Sequence, residues 1–108
     1  ALKVKPDEAT LVPEKRQELT TEGGLDAAGN RAHLKDFAAA LKAAGARVSL
    51  FIDPDPKQIE AAAAIGAPVI EIHTGIYQQA CDSTTNARIK HELQLIRDGA
   101  ARAAALGL

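Results

Sequence analysis

The stretch RVSLFIDPDPKQIEAAAAIGAPVIEIHT, residues 47–74, decides the fold class. Residues 47–53 are rich in β-branched and aromatic side chains and too few for a stable helix, so they predict a strand. The alanine-rich residues 55–67 predict a helix, and residues 68–74 predict another strand. A strand, a helix and a strand in this order are typical of a βαβ unit, whose two strands run parallel.

The same alternation continues on both sides of this unit. Residues 8–12 (EATLV) are a short apolar run that predicts a first strand. Residues 30–45 and 84–108 carry apolar side chains at helical spacing and predict two further helices. The predicted order is therefore βαβαβα, a single α/β segment over residues 1–108 with a parallel sheet and its helices packed outside.

Capping residues mark the predicted helix boundaries. Asn30 is placed to cap the start of the first helix and Gly45 its end. Asp55 is placed to cap the second helix, with Pro56 at the first helical position and Gln58 at the spacing of a capping box. We expect one side of the sheet to be covered by helix faces that bear Phe37, Leu41, Ile59 and Ile96.

The composition excludes several classes of function. Thirteen basic and fourteen acidic side chains leave a net charge of −1, and no basic stripe indicates a nucleic-acid partner. The single cysteine, Cys81, rules out an internal disulfide and fits a reducing compartment. No apolar run approaches the roughly 18 residues of a membrane span, and no signal peptide is visible. We therefore expect a cytoplasmic protein that binds neither nucleic acid nor membrane.

A long polar connection, LVPEKRQELTTEGGLD, separates the first strand from the first helix at residues 11–26. Connections of this kind usually run about 2–6 residues, and longer structureless ones are often functional. In parallel sheets the loops after the carboxyl ends of the strands carry the chemistry. We predict an active-site loop whose TTEGG hydroxyls and N–H groups could bind phosphate; a solvated surface loop is the alternative.

The third predicted strand carries two polar side chains on one face. Alternation places Glu71 and His73 together, opposite the apolar side that should meet the helices. A carboxylate is costly to bury there without a purpose, whereas the histidine could equally be structural. No third ligand accompanies them, so we expect no metal site. Cys81, placed in a loop, and the helical His33 and His91 are interpreted as bystanders.

Two blocks of this sequence, LVPEKRQELTTEGGLD and VSLFIDPDPKQIEAAAAIGAPVIEIHTG, closely resemble the pyridoxine 5′-phosphate synthase family. The resemblance runs over nearly all 108 residues. The family fold is a TIM (β/α)8 barrel, which needs about 250 residues, so the resemblance implies a central segment with the fourth, fifth and sixth βα units.

The resemblance also implies a reaction and its residues. The family condenses 3-amino-2-oxopropyl phosphate with 1-deoxy-D-xylulose 5-phosphate to give pyridoxine 5′-phosphate, phosphate and water, without a metal or organic cofactor. Its mobile lid falls on the polar connection, and its sugar-phosphate-binding threonine on Thr20. Its transition-state-stabilising glutamate falls on Glu71. Thr21 and His73 are expected to support the site, with Gly23 and Gly24 as a hinge of unusual backbone conformation.

The resemblance implies further that the proton-transferring histidines and glutamate of the family lie outside this chain, and that the family assembles as a homo-octamer. We therefore expect either a segment of a longer enzyme or an isolated partial barrel that is inactive alone. The alternative function is a non-catalytic partial barrel that binds phosphate or assembles with its own copies through exposed sheet edges. Another phosphate-handling barrel enzyme is disfavoured by the length of the two blocks.

Overall fold

The computed structural model describes residues 6–13, 19–20, 23–82 and 86–108. Within these residues, three strands form one sheet in the order β1-β2-β3: β1 (Glu8–Leu11), β2 (Arg47–Ile52) and β3 (Val69–Ile72). Both pairs of neighbouring strands are parallel, which confirms the predicted arrangement. Each strand ends before its predicted boundary, so that Asp53 and His73 lie just beyond the carboxyl ends of β2 and β3.

The described part of the chain also contains four helices: α1 (Arg31–Ala43), α2 (Pro56–Ile65), α3 (Gly75–Asp82) and α4 (Asn86–Ala105). Helix α3 was not predicted, and Cys81 therefore lies in a helix instead of the expected loop. With eight residues, α3 is too short to show a clear helical period, and it begins at a glycine, a poor helix former. The observed order is βαβαβαα, which is compatible with part of a TIM barrel.

The predicted helix boundaries differ in how they are capped. The Asp55 carboxylate accepts from the Lys57 N–H at 3.0 Å, which confirms Asp55 as the N-cap of α2. Asn30 occupies the N-cap position of α1 but makes no side-chain cap hydrogen bond, and its Nδ2 donates to the Asp26 carbonyl at 2.9 Å. Gln58 likewise does not close a capping box, because its side chain bonds to the segment before α1.

The hydrophobic core lies between the sheet and helices α1 and α2. Every second residue of β2, namely Val48, Leu50 and Ile52, is fully buried in this core. Leu41 of α1 and Ile59 of α2 are buried in the same cluster, as predicted.

The predicted position of Phe37 needs correction, and Ile96 is less buried than Leu41 and Ile59. Phe37 is 43% exposed, because the buried stripe of α1 runs through Leu34, Ala38 and Leu41 and Phe37 falls beside it. Ile96 of α4 is only half-buried. The core is therefore built from aliphatic side chains and alanines, without an aromatic anchor from α1.

Candidate functional site

The described part of the long polar connection folds back on itself. Leu19 and Leu25 form an antiparallel bridge. The Thr20 N–H donates to the Gly24 carbonyl at 2.9 Å, and the Gly23 N–H donates to the Thr20 carbonyl at 3.3 Å. We refer to residues 19–20 and 23–25 as the threonine turn. The connection was predicted as an active-site loop, and its described part is a hydrogen-bonded turn.

The threonine turn is fixed to the sheet at its far end. Leu25 is buried in the core, and its N–H donates to the Phe51 carbonyl at 2.8 Å. Gln58 of α2 extends this attachment, because its Oε1 accepts from the Ala28 N–H and its Nε2 donates to Asp26, both at 3.0 Å. The connection after Leu25 is therefore held by the core and by α2. The polar residues 14–18 and Thr21, which belong to the predicted lid, lie outside the described residues.

Asp53 lies directly beneath the threonine turn. It follows β2, is only 2% exposed, and accepts a hydrogen bond from the Thr20 hydroxyl. Its other oxygen, Oδ1, accepts from the Gly24 N–H at 3.2 Å. The Gly23 N–H in turn donates to Thr20 Oγ1 at 3.1 Å. Buried carboxylates require such hydrogen bonds, and both carboxylate oxygens here bond to the turn.

The two glycines of the turn serve different purposes. Gly23 has φ of 109°, a left-handed conformation that other residues rarely adopt, as predicted. Gly24 does not share it, which corrects the prediction. A Cβ on Gly24 would lie 2.8 Å from both the N and Oδ1 of Asp53, so Gly24 is required because the turn approaches the strand end so closely.

His73 supports the other side of the turn. Its backbone N–H donates to the Ile52 carbonyl at 2.7 Å. Its imidazole ring meets the Phe51 ring edge-on, with 5.0 Å between the ring centroids. A Cβ on Gly23 would lie 3.1 Å from His73 Nε2, and one on Gly75 would lie 2.6 Å from Cε1. The imidazole therefore lies close to two glycine backbones, one in the turn and one at the start of α3.

Glu71 lies on the sheet face opposite the helices and is held by β1. It is exposed, and its Oε1 accepts from the Thr10 hydroxyl at 3.1 Å. The register pairs Glu71 with Phe51 and Thr10 with Ser49, so all four side chains share this face. The Ser49 hydroxyl is buried there and finds no hydrogen-bond partner within the described ranges. A carboxylate oriented in this way can stabilise a positive charge or accept a proton.

The structure thus places Thr20, Gly23, Gly24 and His73 together at the carboxyl ends of β2 and β3, with Glu71 two residues before His73. Sequence reasoning missed Asp53, although an acid directly after an apolar strand was a signal for it. Among the described residues, no group of three or more His, Cys, Asp or Glu side chains could hold a metal ion. On α3, a side-chain hydrogen bond with Cys81 raises the pKa of Tyr77.

The family model and the relatives found by comparison with known proteins point to the same family. The model of the family described as "Pyridoxal phosphate biosynthesis protein PdxJ" matches residues 1–108. The chain is 54% identical to the pyridoxine 5′-phosphate synthase of Cereibacter sphaeroides, 55% identical to that of Pseudoalteromonas translucida and 53% identical to that of Acaryochloris marina. Each match covers 100% of this chain but only 43% or 44% of the relative. The chain therefore spans less than half the length of these relatives.

Proposed function

The chain belongs to the PdxJ family of pyridoxal phosphate biosynthesis proteins, and from that premise we propose that it forms the central part of a pyridoxine 5′-phosphate synthase. The reaction condenses 3-amino-2-oxopropyl phosphate with 1-deoxy-D-xylulose 5-phosphate to give pyridoxine 5′-phosphate, phosphate and water. The observation that carries the proposal is the family match over residues 1–108, together with relatives of that name at 53% to 55% identity.

The proposed architecture is a TIM barrel in which β1, β2 and β3 are the fourth, fifth and sixth strands. Their parallel order supports this assignment. In such barrels the substrates bind at the carboxyl ends of the strands. The threonine turn, Asp53 and His73 lie at that end of the sheet, which is where the proposed active site requires them.

Glu71 is the proposed stabiliser of the transition state. Ring closure between an amine and a ketone develops positive charge on an iminium-like nitrogen, and a fixed carboxylate lowers the energy of that charge. The hydrogen bond from Thr10 supports this role, because it orients Glu71 on the face opposite the helices without neutralising it. No metal or organic cofactor takes part in the proposed reaction, and the proton transfers fall to residues outside this chain.

Thr20 is the proposed contact to the sugar phosphate. Its hydroxyl donates to Asp53 in this structure, so binding a phosphate oxygen requires that hydroxyl to rotate away from the carboxylate. The N–H groups of Gly23 and Gly24 donate within the turn and to Asp53, so they too would bind an anion only after a rearrangement. Thr21 and His73 are proposed to support this site.

A second candidate function follows from the two outer strands. Among the described residues β1 and β3 are the edges of the sheet, and unpaired strand edges readily pair with other chains. A partial barrel that assembles with its own copies, with or without phosphate bound, is the non-catalytic alternative. For the complete synthase we propose a homo-octamer.

The test compares the full-length protein that contains residues 1–108 with this segment alone. We expect the full-length protein to form pyridoxine 5′-phosphate from the two phosphorylated substrates, and the segment alone to be inactive. The intact mass of the protein isolated from cells shows whether the full-length form or the segment alone occurs. A full-length protein without this activity, purified folded and supplied with both substrates, would contradict the proposed function. Self-assembly of the segment, measured by sedimentation, would support the alternative.

A further inference from the structure

We propose that Asp53 is a positioning residue that sets the conformation of the threonine turn and, through it, the orientation of Thr20. This inference rests on the proposed function, in which Thr20 contacts the sugar phosphate. Asp53 itself does not contact the substrate; it acts through the hydroxyl of Thr20 and the N–H of Gly24.

Burial and bonding carry the inference together. Asp53 is 2% exposed, yet it lies at the carboxyl end of the central strand, where a hydrophobic side chain would be cheaper to bury. Its two oxygens accept from two different positions of one turn, so the carboxylate fixes both the position and the rotation of that turn.

The close approach of Gly24 gives independent support. A Cβ at this position would lie 2.8 Å from the N and Oδ1 of Asp53, so the backbone of the turn rests directly on the aspartate. The turn is therefore matched to Asp53 in shape as well as in hydrogen bonding. The contact with the backbone N would occur with any residue at position 53, whereas the contact with Oδ1 belongs to the aspartate side chain.

Two acceptor oxygens distinguish aspartate from its closest isostere. In Asp53→Asn the amide oxygen can still accept from Gly24, but the NH2 group cannot accept the Thr20 hydroxyl proton. The variant therefore removes one of the two bonds and preserves the volume of the buried side chain. Asp55→Asn is the matched control, since it makes the same charge change two residues away at an exposed N-cap, a position where asparagine caps equally well.

The first measurement is hydrogen exchange over residues 19–25 of the full-length protein without substrate. We expect Asp53→Asn to raise exchange about tenfold, the effect of one lost hydrogen bond, and Asp55→Asn to leave it unchanged. Unchanged exchange in Asp53→Asn would overturn the proposal. If Asp53→Asn does not fold, Thr20→Val removes the same bond from the other side, together with the acceptor of the Gly23 N–H, and unchanged exchange there would overturn the proposal equally.

The second measurement is steady-state kinetics with both substrates. Asp53→Asn frees the Thr20 hydroxyl but also loosens the turn that holds it, and we expect the second effect to dominate, because a mobile turn must be ordered when the substrate binds. The KM for the sugar phosphate should then rise about tenfold, with little change in the KM for the amino ketone phosphate. When Asp53→Asn is added to a Thr20→Val variant, the KM for the sugar phosphate should rise little further, because Asp53 acts through Thr20. Raised exchange with an unchanged KM, or additive effects, would overturn the positioning role. Absence of synthase activity in the wild-type protein would instead contradict the proposed function. The exchange result would still decide whether Asp53 sets the conformation of the threonine turn.

Discussion

Glu71 on β3 and Thr10 on β1 are joined by a hydrogen bond of 3.1 Å that crosses the central strand of the sheet. The bond links the two outer strands on the face opposite the helices, which also carries the Ser49 side chain paired with Thr10 in the register. Its acceptor is the side chain that the proposed mechanism needs to be ionised and oriented. Substitutions can therefore remove the charge of Glu71 while keeping its hydrogen bond to Thr10.

Glu71→Gln should lower the turnover of the full-length synthase by about 100-fold or more, because a neutral amide cannot stabilise the developing positive charge. The fold should persist, since the amide oxygen can still accept from Thr10. Steady-state assays measure the turnover, and thermal unfolding shows whether the fold persists. Glu8→Gln, which alters an exposed carboxylate on β1, is the matched control. Near-normal turnover of Glu71→Gln would remove Glu71 from the mechanism.

Thr20→Ala should weaken binding of 1-deoxy-D-xylulose 5-phosphate by about 1–3 kcal/mol, since the bound anion loses one donor. Thr20→Ser keeps the hydroxyl and should bind within about twofold of wild type. Calorimetric titration of the full-length protein with the sugar phosphate measures the difference. Equal affinities of the alanine and serine variants would show that the hydroxyl does not contact the substrate.

His73→Ala should change the kinetics of the full-length enzyme, because it removes the ring that lies against Phe51 and beside Gly23 of the turn. Loss of this packing in a half-buried site should also cost about 1–3 kcal/mol of unfolding free energy. Enzyme assays and denaturant unfolding measure the two effects separately. A destabilised variant with unchanged kinetics would assign His73 a structural role alone.

Gly24→Ala should displace the threonine turn and destabilise the protein by about 1–3 kcal/mol, because the new Cβ would overlap Asp53. Gly45→Ala is a useful contrast, since a Cβ there meets nothing within 4 Å and only backbone strain at φ of 90° remains. Both variants should lose stability in denaturant unfolding, but only Gly24→Ala should raise hydrogen exchange over residues 19–25. Equal exchange in the two variants would contradict the close approach of Gly24 to Asp53.

Binding of the sugar phosphate should protect residues 14–20 of the full-length enzyme from hydrogen exchange if this stretch is a lid that closes over the substrate. The Leu25 N–H should be protected with and without substrate, because it already donates to the Phe51 carbonyl. Exchange followed by mass spectrometry compares the two states. Unchanged exchange over residues 14–20 would make the stretch an ordinary surface loop.

Local patterns predicted most of the fold. The strands were visible because β-branched residues cluster in short runs, and the N-cap of α2 because Asp55 and Pro56 act on their immediate neighbours. The failures arose where local sequence says little. Helix α3 is too short to show a period, and the exposure of Phe37 depends on which stripe of α1 meets the sheet.

The candidate site was predicted in part, for the same physical reason. Glu71 and His73 stood out because polar side chains interrupt an apolar strand, and the TTEGG hydroxyls because they lie in a long polar connection. The choice of Thr20 among them came from the family resemblance. Asp53 did not stand out, since its partners come from a distant part of the chain. Resemblance to a family proposed roles for Glu71 and Thr20, but the contact between Thr20 and Asp53 emerged only from the folded arrangement.

The bond between Thr20 and Asp53 spans 33 positions of sequence. During synthesis, the turn cannot take its final shape until β2 has been made and Asp53 has followed it. A peptide of residues 11–26 would therefore lack the contact that shapes it. A chimera that transplants this connection into another barrel must also carry the aspartate at the end of the next strand, together with a glycine above it.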